Sequence, residues 1–250
     1  MFRLEKTYDI RELVRSNTHL HTTCSTFAKP EMTLQAVIAE AERCGMHTVA
    51  TTDHSDLHDG INTIGNARRL MRLRDKLNPK VRILIGAELS CYGIGKFAEP
   101  YRIDSELEYR NYTCNHYHLE FWEQPEDKSP AGYGKHMIAM LEGLFQTDRA
   151  DCVAHPFGPY KIKCLDEDGR VAVLDSISDN ALGDIMSMGE RAKCAWELHT
   201  TMVRRYPAFY RRFFQIGREA GVHFEIGTDA HSIRDVSPAP LTEELERILL

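Results

Sequence analysis

Side chains that can bind metal recur along this sequence at short spacings. Histidine occurs 12 times in 250 residues, and His19-Leu20-His21 and Asp229-Ala230-His231 each place two such side chains two residues apart. Alternation along an extended strand turns both members of a pair to the same face, so both can reach one ion. Neutral imidazoles together with carboxylates suit zinc, manganese or iron.

Seven predicted strands position these residues. Runs of β-branched and apolar residues lie at 16–21, 47–53, 81–89, 112–119, 151–155, 192–199 and 223–228, and longer segments with helical periodicity follow them. Residues 32–44 and 209–220 are typical of amphipathic helices, and Gly45 and Gly221 stand where such helices would end. This regular alternation favours a parallel α/β barrel, with an open parallel sheet as the alternative.

Every predicted strand ends in residues of the metal-binding type. In a parallel barrel these ends converge at one mouth. Their number exceeds what one tetrahedral ion can use, which predicts two or three metals and a bridging water, acidified to hydroxide, for in-line attack on phosphorus. The residues are His19 and His21, Asp53 and His54, Glu88, His116 and His118, His155, Glu197 and His199, and Asp229 and His231.

The composition of the chain excludes several classes of protein. The chain has a formal charge of −6 and 42% hydrophobic residues, which fits a single domain over residues 1–250 and argues against a general nucleic-acid binder. Seven cysteines without CxxC pairs indicate free thiols. No apolar run is long enough for a membrane span, and the start MFRLEKTYDI lacks the apolar core of a signal peptide. A cytoplasmic location is therefore expected.

Six motifs occur in a fixed order: THLHTT, ATTDHSD, IGAELS, NHYHLEF, VAHPFG and IGTDAHS. In this order they resemble the motifs of the PHP (polymerase and histidinol phosphatase) family. The resemblance covers nearly the whole chain and implies a distorted, TIM-like (β/α)7 barrel, phosphoesterase activity and a trinuclear metal centre. Carried over by position, it implies a first ion on His19, His21, Glu88 and Asp229, a second on Glu88, His118 and His155, and a third on His54 and His231.

The third site departs from the family pattern. The family usually places an Asp or His a few residues after His-x-His, where this chain has Ser25-Thr26-Phe27. His116 or Asp56 would then have to complete the site, or the centre is dinuclear and His54 and His231 act on the substrate.

The choice of His118 over His116 as a ligand follows the family motif, in which one His precedes an apolar residue, as His118 precedes Leu119. Both histidines remain candidates at this point.

Other residues receive supporting roles. His231 or His54 would protonate the leaving alkoxide, and together with Asp229 they form the predicted catalytic set. Phosphate needs fixed cations besides the metals, and Lys161 and Arg234 are preferred over Lys163 and Arg68. The residues expected to orient the ligands are Asp53, Glu197 and His116.

The predicted function is hydrolysis of a small phosphomonoester. Histidinol phosphate is the best known substrate of the family, but the sequence does not select it. One alternative is an amidohydrolase-type C–N hydrolase, although Glu88 stands where those enzymes usually carry a bridging lysine. A PHP domain with a structural or interaction role is another alternative. A nuclease is disfavoured by the negative charge, despite the interleaved basic and aromatic residues at 101–112.

Overall fold

The computed structural model describes residues 2–55 and 62–250. This part of the chain contains a sheet with seven parallel strands in the order β1-β2-β3-β5-β6-β7-β8, and the short β4 pairs antiparallel with the end of β3. The strands are β1 (Ser16–Leu20), β2 (Thr48–His54), β3 (Arg82–Gly93), β4 (Lys96–Phe97), β5 (Tyr109–Thr113), β6 (Cys152–Val153), β7 (Ala195–His199) and β8 (Phe224–Gly227).

The sheet curls until its first and last strands meet. The N–H of Asp229 donates to the carbonyl of His19 at 2.9 Å, and the N–H of His21 donates to the carbonyl of Ala230 at 2.9 Å. Leu20 and Ala230 form a parallel bridge at the same place. The result is a nearly closed barrel, so the predicted (β/α)7 barrel is confirmed and the open sheet is wrong.

Helices cover the outside of the barrel. Several begin at Ser or Thr caps, such as Thr33, Ser129 and Ser178, whose side chains accept a hydrogen bond from the first turn. The described helices are α1 (Ile10–Leu13), α2 (Leu34–Arg43), α3 (Thr63–Leu77), α4 (Pro130–Phe145), α5 (Glu167–Asp175), α6 (Asp179–Arg191), α7 (Thr200–Arg205), α8 (Pro207–Glu219) and α9 (Thr242–Leu249).

The helical periodicity predicted for 32–44 and 209–220 corresponds to α2 and α8. The apolar side of α8 packs on the outer face of β7, where the Phe213 ring lies 5.7 Å from that of Trp196. Within residues 2–55 and 62–250, every helix is too short or too polar to cross a lipid bilayer.

The fourth predicted strand is wrong in its second half. β5 ends at Thr113, whereas the sequence predicts a strand over 112–119. The aromatic residues that continue the strand pattern pack under α4 instead: the Tyr117 hydroxyl lies 2.9 Å from Nδ1 of His136. His116 and His118 therefore lie in a loop rather than on a strand.

The amino-terminal end of the barrel is closed by apolar side chains and by the start of the chain. Phe2 packs against the interior residues, and the N–H of Leu4 donates to Oε1 of Glu225 at 3.3 Å. The interior residues at this end are Ala50, Leu84, Tyr109, Cys152 and Ala195. Polar side chains lie at the opposite end of the barrel, where the strands finish.

Candidate metal centre

The carboxyl ends of the strands bring histidines and carboxylates together at one mouth of the barrel, as parallel strands require. Among residues 2–55 and 62–250, three groups of side chains hold their ligand atoms within 4.8 Å of one another. They are His21, His54 and His231; His19, His21 and Glu88; and Glu88, His116 and His155.

Glu88, on β3, joins two of these groups. Its Oε1 lies 2.9 Å from Nε2 of His155 and 3.5 Å from Nε2 of His116. Its Oε2 lies 3.3 Å from Nε2 of His54 and 3.8 Å from Nε2 of His19. Each oxygen of one buried carboxylate thus faces a different pair of imidazoles, which is the geometry that bridges two ions.

Glu197, on β7, fixes the ring of His19. Nδ1 of His19 donates to Oε1 of Glu197 at 2.8 Å, and the other carboxylate oxygen accepts the backbone N–H of His155. Gly227, on β8, leaves room for this carboxylate, because a Cβ there would come within 1.7 Å of Oε1. In the neutral ring, Nε2 of His19 therefore faces the centre with a lone pair.

A polar chain orients His21 from the loop after β1. Nδ1 of His21 lies 3.2 Å from Oγ of Ser25, and that hydroxyl donates to Oδ1 of Asp53 at 3.1 Å. Asp53 also accepts the N–H of Thr22 at 2.6 Å. Because the hydroxyl proton of Ser25 goes to Asp53, Nδ1 of His21 must be the donor to Ser25 and Nε2 carries the lone pair. Asp53 thus contacts the loop and not the cluster itself.

Asn115 orients His155 in the same way. The Asn115 amide nitrogen donates to the carbonyls of His155 and Gly158 at 2.8 and 3.1 Å, so its oxygen must face Nδ1 of His155, 3.0 Å away. His155 has φ +32°, a conformation that costs roughly 1–3 kcal/mol and is found mainly at functional sites.

Asp229 and His231 follow β8. Oδ1 of Asp229 lies 2.8 Å from Nε2 of His21 and 3.5 Å from Nε2 of His19. Nδ1 of His231 donates to the Asp229 carbonyl at 2.7 Å, which leaves its Nε2 unprotonated. Asp229 also has a positive φ, +54°, so the chain is strained at this ligand position too.

These tautomers fit a cation between the side chains. Lone pairs on Nε2 of His21 and of His155 face carboxylate oxygens at 2.8 and 2.9 Å, an arrangement that repels unless positive charge lies between the atoms. Buried imidazole nitrogens with carboxylate oxygens are ligands that zinc, manganese and iron accept. The residues present therefore fit divalent metal ions.

The pKa shifts reflect how closely buried imidazoles and carboxylates pack in this cluster. Burial lowers the pKa of His19, but the carboxylates of Glu197 and Asp229 outweigh it and raise that pKa well above its usual value. Burial raises the pKa of Glu88, but its contacts with His155 and His19 hold it well below its usual range. Burial and the neighbouring His54 lower the pKa of His21 to about 3.

The third group is poorer in ligands. The ring of His21 is stacked between those of His54 and His231, at centroid distances of 4.2 and 4.3 Å. Phe27 has its ring 6.0 Å from that of His54 and is 76% exposed. Phe27, the last residue of the stretch Ser25-Thr26-Phe27, is thus an exposed phenyl ring beside the group. Asp56, the suggested substitute, lies outside the described residues.

The structure places His116, rather than the predicted ligand His118, next to Glu88. His118 lies outside all three groups, with its ring centroid 5.3 Å from that of His116. The loop after β5 turns at this point, because the N–H of Leu119 donates to the carbonyl of His116 at 2.9 Å. The geometry therefore favours His116 as the ligand, and the assignment of either histidine stays a prediction.

The two preferred cations are placed differently. Lys161 is half-buried, and its Nζ donates to Nε2 of His116 at 2.6 Å. Burial lowers the pKa of Lys161, against the opposing effect of Glu88 and Asp229. Arg234 is exposed, with Nε 3.5 Å from Oδ2 of Asp235. The structure thus brings Lys161, but not Arg234, to the cluster.

The less favoured cations also have partners elsewhere. Lys163 lies 3.5 Å from the carbonyl of His118, and Arg68 pairs with Glu106 at 2.7 Å.

Two orienting residues are missing from the sequence analysis as site residues. Ser25 appears there only as a hydroxyl in place of a ligand, and Asn115 is not named. The only sequence signal for Asn115 is its position directly before His116. Both act through hydrogen bonds to imidazole Nδ1 atoms, which depend on how loops fold across the barrel mouth.

Comparison with known proteins agrees with this geometry. The sequence profile of the PHP domain matches residues 17–226. The structure is similar to that of histidinol phosphate phosphatase from Lactococcus lactis subsp. lactis Il1403 complexed with zinc, L-histidinol and phosphate, with a TM-score of 0.62 and 16% identity over 94% of this chain and 91% of that one.

A second similar structure is that of a provisionally assigned histidinol phosphatase from Listeria monocytogenes, with a TM-score of 0.57 and 11% identity over 88% of this chain and 96% of that one. At these identities the likeness establishes the fold. No curated protein sequence gives a significant match.

Proposed function

Because this chain belongs to the PHP domain family, we propose that it is a metal-dependent phosphatase that hydrolyses small phosphomonoesters. The observation that carries the proposal is the position of Glu88, whose two oxygens face two different sets of imidazoles. A single-metal or purely structural site would not need a buried carboxylate in this bridging geometry.

The proposed ligands divide between two ions. His19, His21 and Asp229 with Oε2 of Glu88 would hold the first ion, and His116 and His155 with Oε1 would hold the second. His118 remains the alternative to His116. His54 and His231 would form a third site of low affinity, since Phe27 supplies no ligand and the one lone pair of the His21 ring, on Nε2, is used by the first ion.

Divalent ions bound there would lower the pKa of a coordinated water and neutralise charge on the phosphoryl group. The chain's own residues complete the chemistry. Lys161 would turn from Nε2 of His116 to a phosphoryl oxygen, because its ammonium group is a strong donor to an anion, and the nitrogen it leaves would be free to bind the second ion. Arg234 would have to turn away from Asp235 to do the same.

The leaving alcohol needs a proton from the mouth of the site. His231 is the better placed donor when no third ion is bound. Its Nδ1 donates to the Asp229 carbonyl, so a second proton, taken up at Nε2, is the one that the ring can pass to the alcohol. His54 is the second candidate, with Nε2 3.3 Å from Glu88. Asp229 would act with them by holding His231 through its carbonyl.

We propose phosphorylated amino alcohols as the first substrates to test. The Lactococcus lactis structure with the same fold was solved with L-histidinol and phosphate, which are the products expected from such an ester. The amidohydrolase alternative has no comparable support, since a glutamate takes the bridging position.

The test combines metal analysis with hydrolysis of p-nitrophenyl phosphate and L-histidinol phosphate. Wild-type protein loaded with manganese, zinc or iron should contain two tightly bound ions and hydrolyse at least one ester. Glu88→Gln should lose metal and reduce kcat/KM by at least about 100-fold, as expected when charge stabilisation at a reaction centre is removed.

The matched control is Glu126→Gln, the same change at an exposed loop carboxylate, which should leave metal content and kinetics unaltered. If wild-type protein binds two ions but hydrolyses neither these esters nor a panel of sugar and nucleoside monophosphates, the phosphatase proposal is wrong and a structural role is favoured.

A further inference from the structure

His199, the last residue of β7, lies at the centre without an assigned role. It is buried, with its ring centroid 6.0 Å from that of His19 and 5.7 Å from that of His155. It belongs to none of the three groups with metal-ligand spacing. Because the His199 ring lies near two proposed ligands, it nevertheless belongs to the same cluster of side chains.

The start of helix α7 fixes which nitrogen of His199 carries the proton. His199 is the N-cap of α7, and its Nδ1 accepts the backbone N–H of Met202 at 3.4 Å. A nitrogen that accepts a hydrogen bond has a lone pair, so the proton of the neutral ring is on Nε2. The unpaired N–H groups at a helix start make this acceptor role favourable.

This tautomer excludes His199 from the metal ligands. A ligand imidazole needs a lone pair on the nitrogen that faces the ion, and Nε2 of His199 has a hydrogen there. To bind metal through Nε2, the ring would have to carry its proton on Nδ1, directly against the N–H of Met202. Four of the proposed ligands show the opposite arrangement, with protonated Nδ1: His19, His21, His155 and His231.

The N–H of His199 points into the site without a partner. Among residues 2–55 and 62–250, Nε2 has no hydrogen-bond acceptor, although the atom is buried. Oδ2 of Asp229 lies 3.6 Å away, beyond hydrogen-bond distance. A buried donor without an acceptor is unfavourable, and an acceptor that arrives with the substrate would remove this cost.

We infer that His199 binds a phosphoryl oxygen of the substrate through its Nε2–H. The inference rests on the proposed phosphatase function and adds a neutral donor to the cationic Lys161. A phosphoryl group that reaches the ions near Glu88 must also approach the carboxylate of Asp229. An N–H directed from beside that carboxylate offsets the repulsion between the two anions.

The experiment measures binding of inorganic phosphate to metal-loaded protein by calorimetry, alongside metal content and melting temperature. His199→Asn keeps an oxygen that can cap α7 but is too short to present the donor. His199→Gln keeps a long N–H donor. We expect phosphate affinity to fall about 10- to 100-fold in His199→Asn, the range for a hydrogen bond to a charged group, and to stay within about threefold in His199→Gln.

Metal content should be unchanged in both variants. If His199→Asn binds phosphate as tightly as the wild type, or if His199→Gln loses affinity as strongly as His199→Asn, the inference is wrong. Loss of bound metal in either folded variant would overturn it in favour of a role in positioning Asp229. Ester hydrolysis by the wild type is measured separately and tests the phosphatase function. If phosphate affinity depends on His199 in a protein that hydrolyses no ester, the phosphatase function is contradicted and the role of His199 in binding phosphate is not.

Discussion

At the scale of single residues, Phe27 places an apolar ring beside the third group of histidines. Its ring lies 6.0 Å from that of His54, on the loop that follows β1. The loop is fixed nearby, since the N–H of Lys29 donates to the carbonyl of His231 at 2.9 Å. A side chain at position 27 is therefore held close to the third group whatever its chemistry.

We predict that Phe27→His creates a third metal site. The new imidazole would join His54 and His231 as a ligand. The affinity for a third ion should rise by on the order of tenfold or more, because residues that only support metal ligands through hydrogen bonds change metal affinity by at least this much. Bound metal after dialysis against buffered manganese should increase from two to three ions per chain.

Phe27→Leu is the matched control, because it keeps an apolar side chain and should keep two ions. An unchanged metal content in Phe27→His would mean that the loop holds residue 27 out of reach of His54 and His231.

The sequence predicts much of this cluster, but not its supporting contacts. His19, His21, Glu88 and Asp229 follow from strand ends that must meet at one barrel mouth. The choice between His116 and His118 does not, since it depends on how the loop turns after Thr113.

At the scale of secondary structure elements, strand β8 carries a glycine that the centre requires. Gly227 lies beside Glu197, and a Cβ there would come within 1.7 Å of Oε1 and 2.7 Å of Cβ of His19. The carboxylate that orients His19 thus occupies the space of the missing side chain. β1, β7 and β8 can approach closely at the mouth only because of this residue.

We predict that Gly227→Ala displaces Glu197 and loosens His19. The extra methyl group should lower the free energy of unfolding by about 1–3 kcal/mol, the usual cost of overpacking, and weaken metal binding by about 10- to 100-fold. Urea unfolding and metal titration of the purified variant would measure both effects.

Gly183→Ala, on helix α6, is the control. A Cβ there meets only Cγ2 of Ile216 at 3.6 Å, and alanine is the better helix former by roughly 0.5–1 kcal/mol. Equal stability and metal affinity in Gly227→Ala and wild type would show that Glu197 can move without loss.

The sequence predicts the secondary structure elements correctly where the buried residues are also the residues that form the regular backbone hydrogen bonds. The strand pattern and the amphipathic periodicity of α2 and α8 identify the barrel. The pattern fails after Thr113, because Tyr117 is buried against α4 and not in the sheet. Apolar periodicity reports burial, and it cannot tell a strand from a loop packed under a helix.

At the scale of the whole molecule, the barrel has a polar group buried at the end opposite the metals. Glu225 on β8 accepts the hydroxyl of Tyr109 at 2.6 Å and the N–H of Leu4 at 3.3 Å. Burial raises the pKa of this carboxyl from 4.5 to about 7. The start of the chain, which closes the barrel floor, is thus attached to a group that changes charge near neutral pH.

This shift predicts how stability depends on pH. The folded protein binds the proton of Glu225 more tightly than the unfolded chain, so stabilisation is complete below about pH 4.5 and is lost as the pH rises through about 7. The difference between a pKa of 4.5 and one of about 7 corresponds to about 3 kcal/mol of unfolding free energy. Relative to Glu225→Gln, which cannot ionise, wild-type protein should lose on the order of 3 kcal/mol of unfolding free energy between pH 5 and pH 8.

The comparison isolates Glu225, because other groups with shifted pKa values are present in both proteins. Glu99 is one of them, with a pKa that burial raises to about 7, and its contribution cancels in the difference. Urea unfolding at matched metal loading gives the two curves, and the exposed Glu126→Gln should run parallel to the wild type. Parallel curves of unfolding free energy against pH for the wild type and Glu225→Gln would mean that water reaches this carboxylate at the barrel floor. Phe2 and Leu4 would then not seal that end of the barrel.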